Sequence, residues 1–130
     1  MCRVRRRLME KKIDVIFRKR RKNMKVTELV EKMGLNVETE GTDKEITGCY
    51  TGDLLSLAMS NVMAGNIWIT VQTNINTVAV AALAEAACII LPQSLEPDEK
   101  TRMKADDEEI FILSSDKTAY ELCAEIGRLI

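Results

Sequence analysis

The sequence has no histidine, two prolines, six glycines and only 4% aromatic residues. Without an imidazole, catalysis that needs one is excluded, and the commonest zinc ligand is missing. The four cysteines, Cys2, Cys49, Cys88 and Cys123, are widely spaced and form no CxxC pair. No metal site and no cofactor is therefore expected. Cys49, Cys88 and Cys123 lie in apolar contexts and read as buried, reduced thiols. The longest apolar stretch, from Thr77 to Leu91, is interrupted by Glu85. It falls short of the roughly 20 residues a membrane span needs. With no signal peptide evident, the cytoplasm is the expected compartment.

Charge is abundant but unevenly placed. Residues 1–23 hold 11 Lys and Arg against 2 acids, while residues 24–130 hold 8 against 18. The acidic remainder is a poor partner for nucleic acid. The basic leader carries Arg5-Arg6-Arg7 and Arg18-Lys19-Arg20-Arg21-Lys22. It can be read as an arm for nucleic acid or an anionic membrane, or as disordered chain. Its apolar residues Ile13, Val15, Ile16 and Phe17 lack the clean periodicity of a membrane-surface helix. A third reading is a misassigned start. Arg20-Arg21 can be encoded by a purine-rich ribosome-binding sequence of bacterial type, placed just before the codon for Met24. The expected organisation is thus a leader over 1–23 and one α/β domain over 24–130, a length that supports a single core.

Within that domain, apolar segments alternate with helical patterns. Val26, Leu29, Val30 and Met33 share one helix face, with Gly34 as the stop. Val37 to Thr39 reads as a short strand. Four further strands are expected at Ile46–Tyr50, Ile67–Gln72, Cys88–Leu91 and Ile110–Leu113. Helices follow over Leu54–Met63, from Asn76 to Ala87, from Pro97 to about Glu108, and after Asp116. Asp53, Asn76 and Asp116 are the expected helix caps, Pro97 a first helical residue, and Gly65 a helix stop. This alternation implies a three-layer α/β/α fold with a mostly parallel or mixed sheet of four to five strands.

Each main strand runs into a small polar cluster: Tyr50-Thr51-Gly52-Asp53, Gln72-Thr73-Asn74-Ile75-Asn76, Pro92-Gln93-Ser94 and Ser114-Ser115-Asp116. Parallel strands would line these up on one sheet edge, where open α/β sheets bind ligands. Capping accounts for much of the polarity, and Gly52 reads as turn geometry. Four polar residues in five at Thr70, Gln72, Thr73 and Asn74 exceed what one helix start needs. Amides and hydroxyls there can read a base edge or a sugar. The candidate ligand-binding set is Tyr50, Thr51, Gly52, Asp53, Thr70, Gln72, Thr73, Asn74, Asn76 and Gln93. No catalytic residue is assigned, because Asp53 is a lone carboxylate without a basic partner. The acidic run Asp106 to Glu109 reads as a solvated helix end.

Several segments together resemble a known family. Gly52-Asp53-Leu54-Leu55 opens a helix, and Trp68-Ile69-Thr70-Val71-Gln72-Thr73-Asn74-Ile75-Asn76 leads into Val78-Ala79-Val80-Ala81. Cys88-Ile89-Ile90-Leu91 follows, and Pro97-Asp98-Glu99 opens a charged helix. From Met24 to Ile130 this resembles the DRTGG domain family and, in fold, the N-terminal domain of HPr kinase. The resemblance implies a three-layer domain that occurs alone or beside CBS domains, phosphotransacetylases and ligases. It also implies a regulatory, nucleotide-sensing role. Two motif positions differ. The Asp-Arg pair expected after the second strand is replaced by Gln72 to Asn76. The Thr-Gly-Gly expected after the third is replaced by Leu91-Pro92-Gln93. The first change removes a cation that could pair with a phosphate, and the second removes a close backbone approach. No Gly-x-x-x-x-Gly-Lys-Ser/Thr run exists, so the likeness to HPr kinase is to a non-catalytic portion.

Two functional readings follow. One is a non-catalytic, homodimeric regulatory module binding a nucleotide or related metabolite at the carboxyl edge of the sheet. The other is a protein-interaction or scaffold subunit acting through the Ala-rich helix Thr77 to Ala87, without a small-molecule ligand.

Overall fold

The computed structural model describes residues 23–130. The basic leader and Cys2 therefore lie outside the described residues, apart from Asn23. In chain order the elements are α1 (Val26–Met33), β1 (Asn36–Thr39), β2 (Gly48–Thr51), α2 (Leu55–Asn61) and β3 (Asn66–Ile69). They continue with α3 (Ile75–Leu83), β4 (Cys88–Leu91), α4 (Glu99–Asp107), β5 (Phe111–Ser114) and α5 (Ala119–Leu129). The strands form one sheet in the order β1-β5-β4-β3-β2. β2 to β5 are parallel, and β1 pairs antiparallel with β5. The expected mixed α/β sheet with interleaved helices is what the chain forms.

Three successive connections carry the chain from β2 to β5 one strand at a time in the same direction. Crossovers of constant hand then place their helices on the same face. That face is built from α2, α3 and α4, whose Ala58, Val78, Val80, Ala81 and Ala105 pack with Trp68, Ile89, Leu91 and Ile112. The opposite face holds α1 and α5, whose Val26, Leu29, Leu122 and Ile126 meet Ile67, Ile69, Cys88, Ile90 and Leu113. The inward-facing residues alternate along each strand, as a pleated sheet requires. The chain reaches β2 from the far edge by a segment that passes alongside α1. There Ile46 N–H donates to Met24 O at 2.8 Å and Val26 N–H to Lys44 O at 3.2 Å.

α1 matches its expected span, and Gly34 closes it with φ at 63° while its N–H returns to Val30 O. The other helix ends differ from expectation by one to several residues, each for a local reason. Asp53 does not cap α2; the N-cap position is Leu54, without a side-chain hydrogen bond, because the Asp53 carboxylate is engaged elsewhere. Asn74, not Asn76, caps α3, accepting from Asn76 N–H and Thr77 N–H. Asp98 caps α4 by accepting from Thr101 N–H, which leaves Pro97 one residue before the cap. Thr118, not Asp116, caps α5 in a reciprocal capping box with Glu121. α2 ends at Asn61, so Gly65 (φ 82°) serves the turn into β3 rather than a helix stop. A side chain on Gly65 would also collide with Thr47 and the Glu45 carbonyl. α3 stops at Leu83, and Ala86 and Ala87 are buried in the approach to β4.

Of the three cysteines described, Cys88 is buried and burial pushes its thiol pKa up, which leaves it inert. Cys123 is half-buried. Cys49 is exposed on the edge strand β2 rather than buried as expected. An edge strand has a neighbour on one side only, so an apolar sequence context there does not guarantee cover.

The cap assignments are open to test. Thr118→Ala should lower unfolding stability by about 1 kcal/mol in denaturant titration, whereas Asp116→Ala should change it little. The reverse order would return the cap to Asp116.

Candidate functional site

All four polar clusters follow parallel strands, so they lie at the same, carboxyl end of the sheet. β2 and β3 pair in register, with Tyr50 opposite Trp68 and Thr51 opposite Ile69. The first two clusters are therefore adjacent.

Asp53 joins them. Its carboxylate Oδ1 accepts from Thr70 Oγ1 at 2.9 Å and from Val71 N–H at 2.9 Å. Its carbonyl accepts from Gln72 Nε2 at 3.2 Å. Thr70 is buried, and its hydroxyl also accepts from Gln72 N–H at 3.2 Å, a tight local turn. Asn74 Nδ2 then donates to Gln72 Oε1 at 3.1 Å. The same Asn74 carboxamide caps α3 through its oxygen. Asp53, Thr70, Gln72 and Asn74 thus form one continuous chain of hydrogen bonds from the end of β2 to the start of α3.

Beneath this chain lies Trp68, which is fully buried and donates Nε1–H to Gly52 O at 3.0 Å. Burial of an indole is favourable only when its N–H finds a partner, and the Gly52 carbonyl supplies it. The expected turn geometry at Gly52 is not what selects glycine, since its φ is not positive. The Tyr50 ring folds back over it, and a Cβ on Gly52 would lie 2.9 Å from Tyr50 Oη.

The remaining candidates stand around this core. Thr51, Asn76 and Gln93 are exposed, and Thr73 is half-buried. The Thr73 carbonyl accepts from Thr101 Oγ1 at 3.0 Å, which anchors the turn to α4. Gln93 follows β4 and is held by its backbone, with N–H donating to Lys117 O at 2.9 Å. Gln93 and the next residue, Ser94, both have φ at 57°. This left-handed backbone favours glycine. The loop where two glycines were expected from the resemblance therefore contains two successive residues in the conformation that glycine adopts most easily.

A group of residues further along the same end was not singled out in the sequence. Arg102, in the first turn of α4, donates Nη1–H to Glu38 O at 3.0 Å and Nη2–H to Glu38 Oε2 at 2.8 Å. Ser114, the last residue of β5, donates its hydroxyl to Glu38 Oε1 at 2.8 Å. Burial opposes ionisation of Glu38, yet the Ser114 hydroxyl and the Arg102 guanidinium together hold its carboxyl below the usual range. The cation missing from the second cluster thus has a counterpart at this end of the sheet, already paired with an acid. Glu38 and Arg102 are 64 positions apart, and no local spacing signals such a pair.

Among the described residues, no group of three His, Cys, Asp or Glu side chains could hold a metal ion. No described helix is long and apolar enough to cross a membrane.

No protein-family model and no curated protein matches this sequence. A solved structure does match in fold, with a TM-score of 0.67 over 81% of this chain at 9% sequence identity. It comprises the CBS and DRTGG domains of the regulatory region of Clostridium perfringens pyrophosphatase, complexed with the activator diadenosine tetraphosphate. The fold is DRTGG-like. The chain spans 46% of that structure's length. The two folds agree at 9% sequence identity, since such a fold needs buried strands and covering helices rather than particular side chains.

The two left-handed residues yield a stability test. Ser94→Gly should stabilise the protein by up to about 1 kcal/mol, because it removes the steric penalty of a Cβ at positive φ. Chemical denaturation measures this directly. A loss of stability would show instead that the Ser94 side chain contributes to the loop.

Proposed function

We propose that this protein is a non-catalytic regulatory module that works as a homodimer and binds a nucleotide or related small metabolite at the carboxyl end of its sheet. The observation that carries this reading is the convergence of Asp53, Thr70, Gln72 and Asn74 into one ordered polar turn at that end. Open α/β sheets bind ligands there. The likeness to a regulatory region complexed with a nucleotide activator supports the same ligand class.

Recognition would fall mainly on the nucleoside. Thr51, Thr73, Asn76 and Gln93 offer hydroxyls and carboxamides around the turn, groups suited to base edges and ribose. The anchored turn would hold them in place. Phosphate groups would meet few cations, as Arg102 is engaged with Glu38. A second reading, a scaffold that acts through α3 without a ligand, draws support from Leu83, which is 74% exposed on that helix.

Thermal denaturation with AMP, ADP, ATP and diadenosine tetraphosphate separates the two. Ligand at about 100 times its Kd adds about 2.7 kcal/mol of stability, which raises Tm by several degrees in a domain of this size. The proposal expects such a rise for at least one of the four, reduced by Asn76→Ala or Gln93→Ala. An unchanged Tm across the whole panel at millimolar ligand would overturn it.

A further inference from the structure

One half of the sheet's α2–α3 side is almost free of charge. The 39 residues from Ile46 to Ala84 contain a single charged side chain, Asp53, in a protein with 30% charged residues. The region is not hidden: 26 of these residues are exposed or half-buried. An ordinary soluble surface of that size would carry roughly six to nine charges. Seven of the ten large apolar side chains exposed by the described residues also fall here, between Leu54 and Leu83.

Four of these side chains, Leu57 and Met59 on α2 and Ile75 and Leu83 on α3, stand on neighbouring helices. α2 and α3 lie on the same face of the sheet and touch each other. On α3, Ile75, Ala79 and Leu83 are all exposed at i, i+4 and i+8, which places them in one stripe. On α2, Leu57 and Met59 are more than half exposed. β2, which borders this surface, is an edge strand, and edge strands are usually guarded by charged residues. Gly48-Cys49-Tyr50-Thr51 has none.

The absence of charge restricts the partner. A charged surface docking here would lose its hydration against a face with no counter-charge to offer, which is strongly unfavourable. The other helices of this chain present such charges: Glu28, Glu31 and Lys32 on α1, Lys100 and Lys104 on α4, Glu121 and Arg128 on α5. Among the described residues, the surface that matches the neutral face is that face itself. A surface complementary to itself is the requirement for a two-fold symmetric pair.

We propose that the neutral face of β2, α2 and α3 is the surface through which two copies of this chain associate. This deepens the dimeric reading given above and is independent of any nucleotide. Sedimentation equilibrium on the full chain tests it, with circular dichroism as the check on folding. The wild type should be a dimer at about 50 µM. Leu57→Glu and Leu83→Glu should each weaken association at least about tenfold, since each buries an unpaired charge in the pair. Leu83→Gln gives the same comparison without a charge should either variant misfold. Met103→Glu, an exposed apolar position on α4, should leave the dimer intact. A monomeric wild type at that concentration would overturn both the dimer and this surface, and would leave a different charge-poor protein as the occupant. A dimer that survives the α2 and α3 substitutions would overturn this surface alone.

Discussion

Every residue of β3, β4 and β5 is buried. Parallel strands covered on both faces offer solvent nothing except their ends, and this constraint governs where the protein can act. It explains why strands such as Cys-Ile-Ile-Leu and Ile-Trp-Ile are almost wholly apolar. It also explains why polar residues appear abruptly where each strand ends. Chemistry is confined to the carboxyl end, the opposite end, the two edges of the sheet and the outer surfaces of the helices.

At the carboxyl end the polar residues mostly satisfy one another. One Asp53 oxygen receives both the Thr70 hydroxyl and the Val71 amide, so a single carboxylate fixes the end of β2 to the end of β3. The Trp68 indole locks the same turn from below through the Gly52 carbonyl. The result is a rim whose geometry is set by its own hydrogen bonds, with Thr51, Asn76 and Gln93 exposed around it. Pre-organisation of this kind reduces the ordering a binding event must supply. At β5 the Glu38, Arg102 and Ser114 cluster fastens the antiparallel edge strand and α4 together, so a charged pair joins the elements at the edge of the sheet away from Trp68.

Much of this architecture was legible in the sequence, and each miss has an identifiable cause. α1 and β4 matched residue for residue because their apolar patterns are bounded by unambiguous neighbours, Gly34 in one case and the Ala86-Ala87 approach in the other. The parallel alternation and the polar clusters at strand ends followed from the order of the patterns. The caps did not, because each has a nearby competitor of equal propensity. Asn74 stands two residues from Asn76, and Thr118 two from Asp116. Only the full turn decides which oxygen meets the amides. Asp53 failed as a cap for a different reason: its partners, Thr70 and Val71, come from the next strand. Gly52 was expected to serve a turn, whereas its φ is not positive and the Tyr50 ring lies over it, a contact that depends on side-chain packing. Glu38 and Arg102 belong to elements far apart in the chain. Pairing of that kind is set by topology, and no spacing rule reveals it.

Charge distribution links the two proposals. Apart from Asp53 and Glu85, the acidic residues of the domain lie on α1, β1, α4, α5 and the loops beside them, while β2, α2 and α3 themselves carry no charge. The proposed regulatory module would need one region that senses and another that transmits, and the Thr70–Asn74 turn lies between β3 and α3, within the charge-poor segment. The most direct test of the central claim is amide chemical-shift mapping of the protein titrated with AMP, ADP, ATP and diadenosine tetraphosphate in turn. The account predicts shifts concentrated on residues 51–53, 70–76 and 93. Shifts concentrated instead on Lys117 to Arg128, or around Gly65 and Glu85 at the opposite end of the sheet, would contradict it.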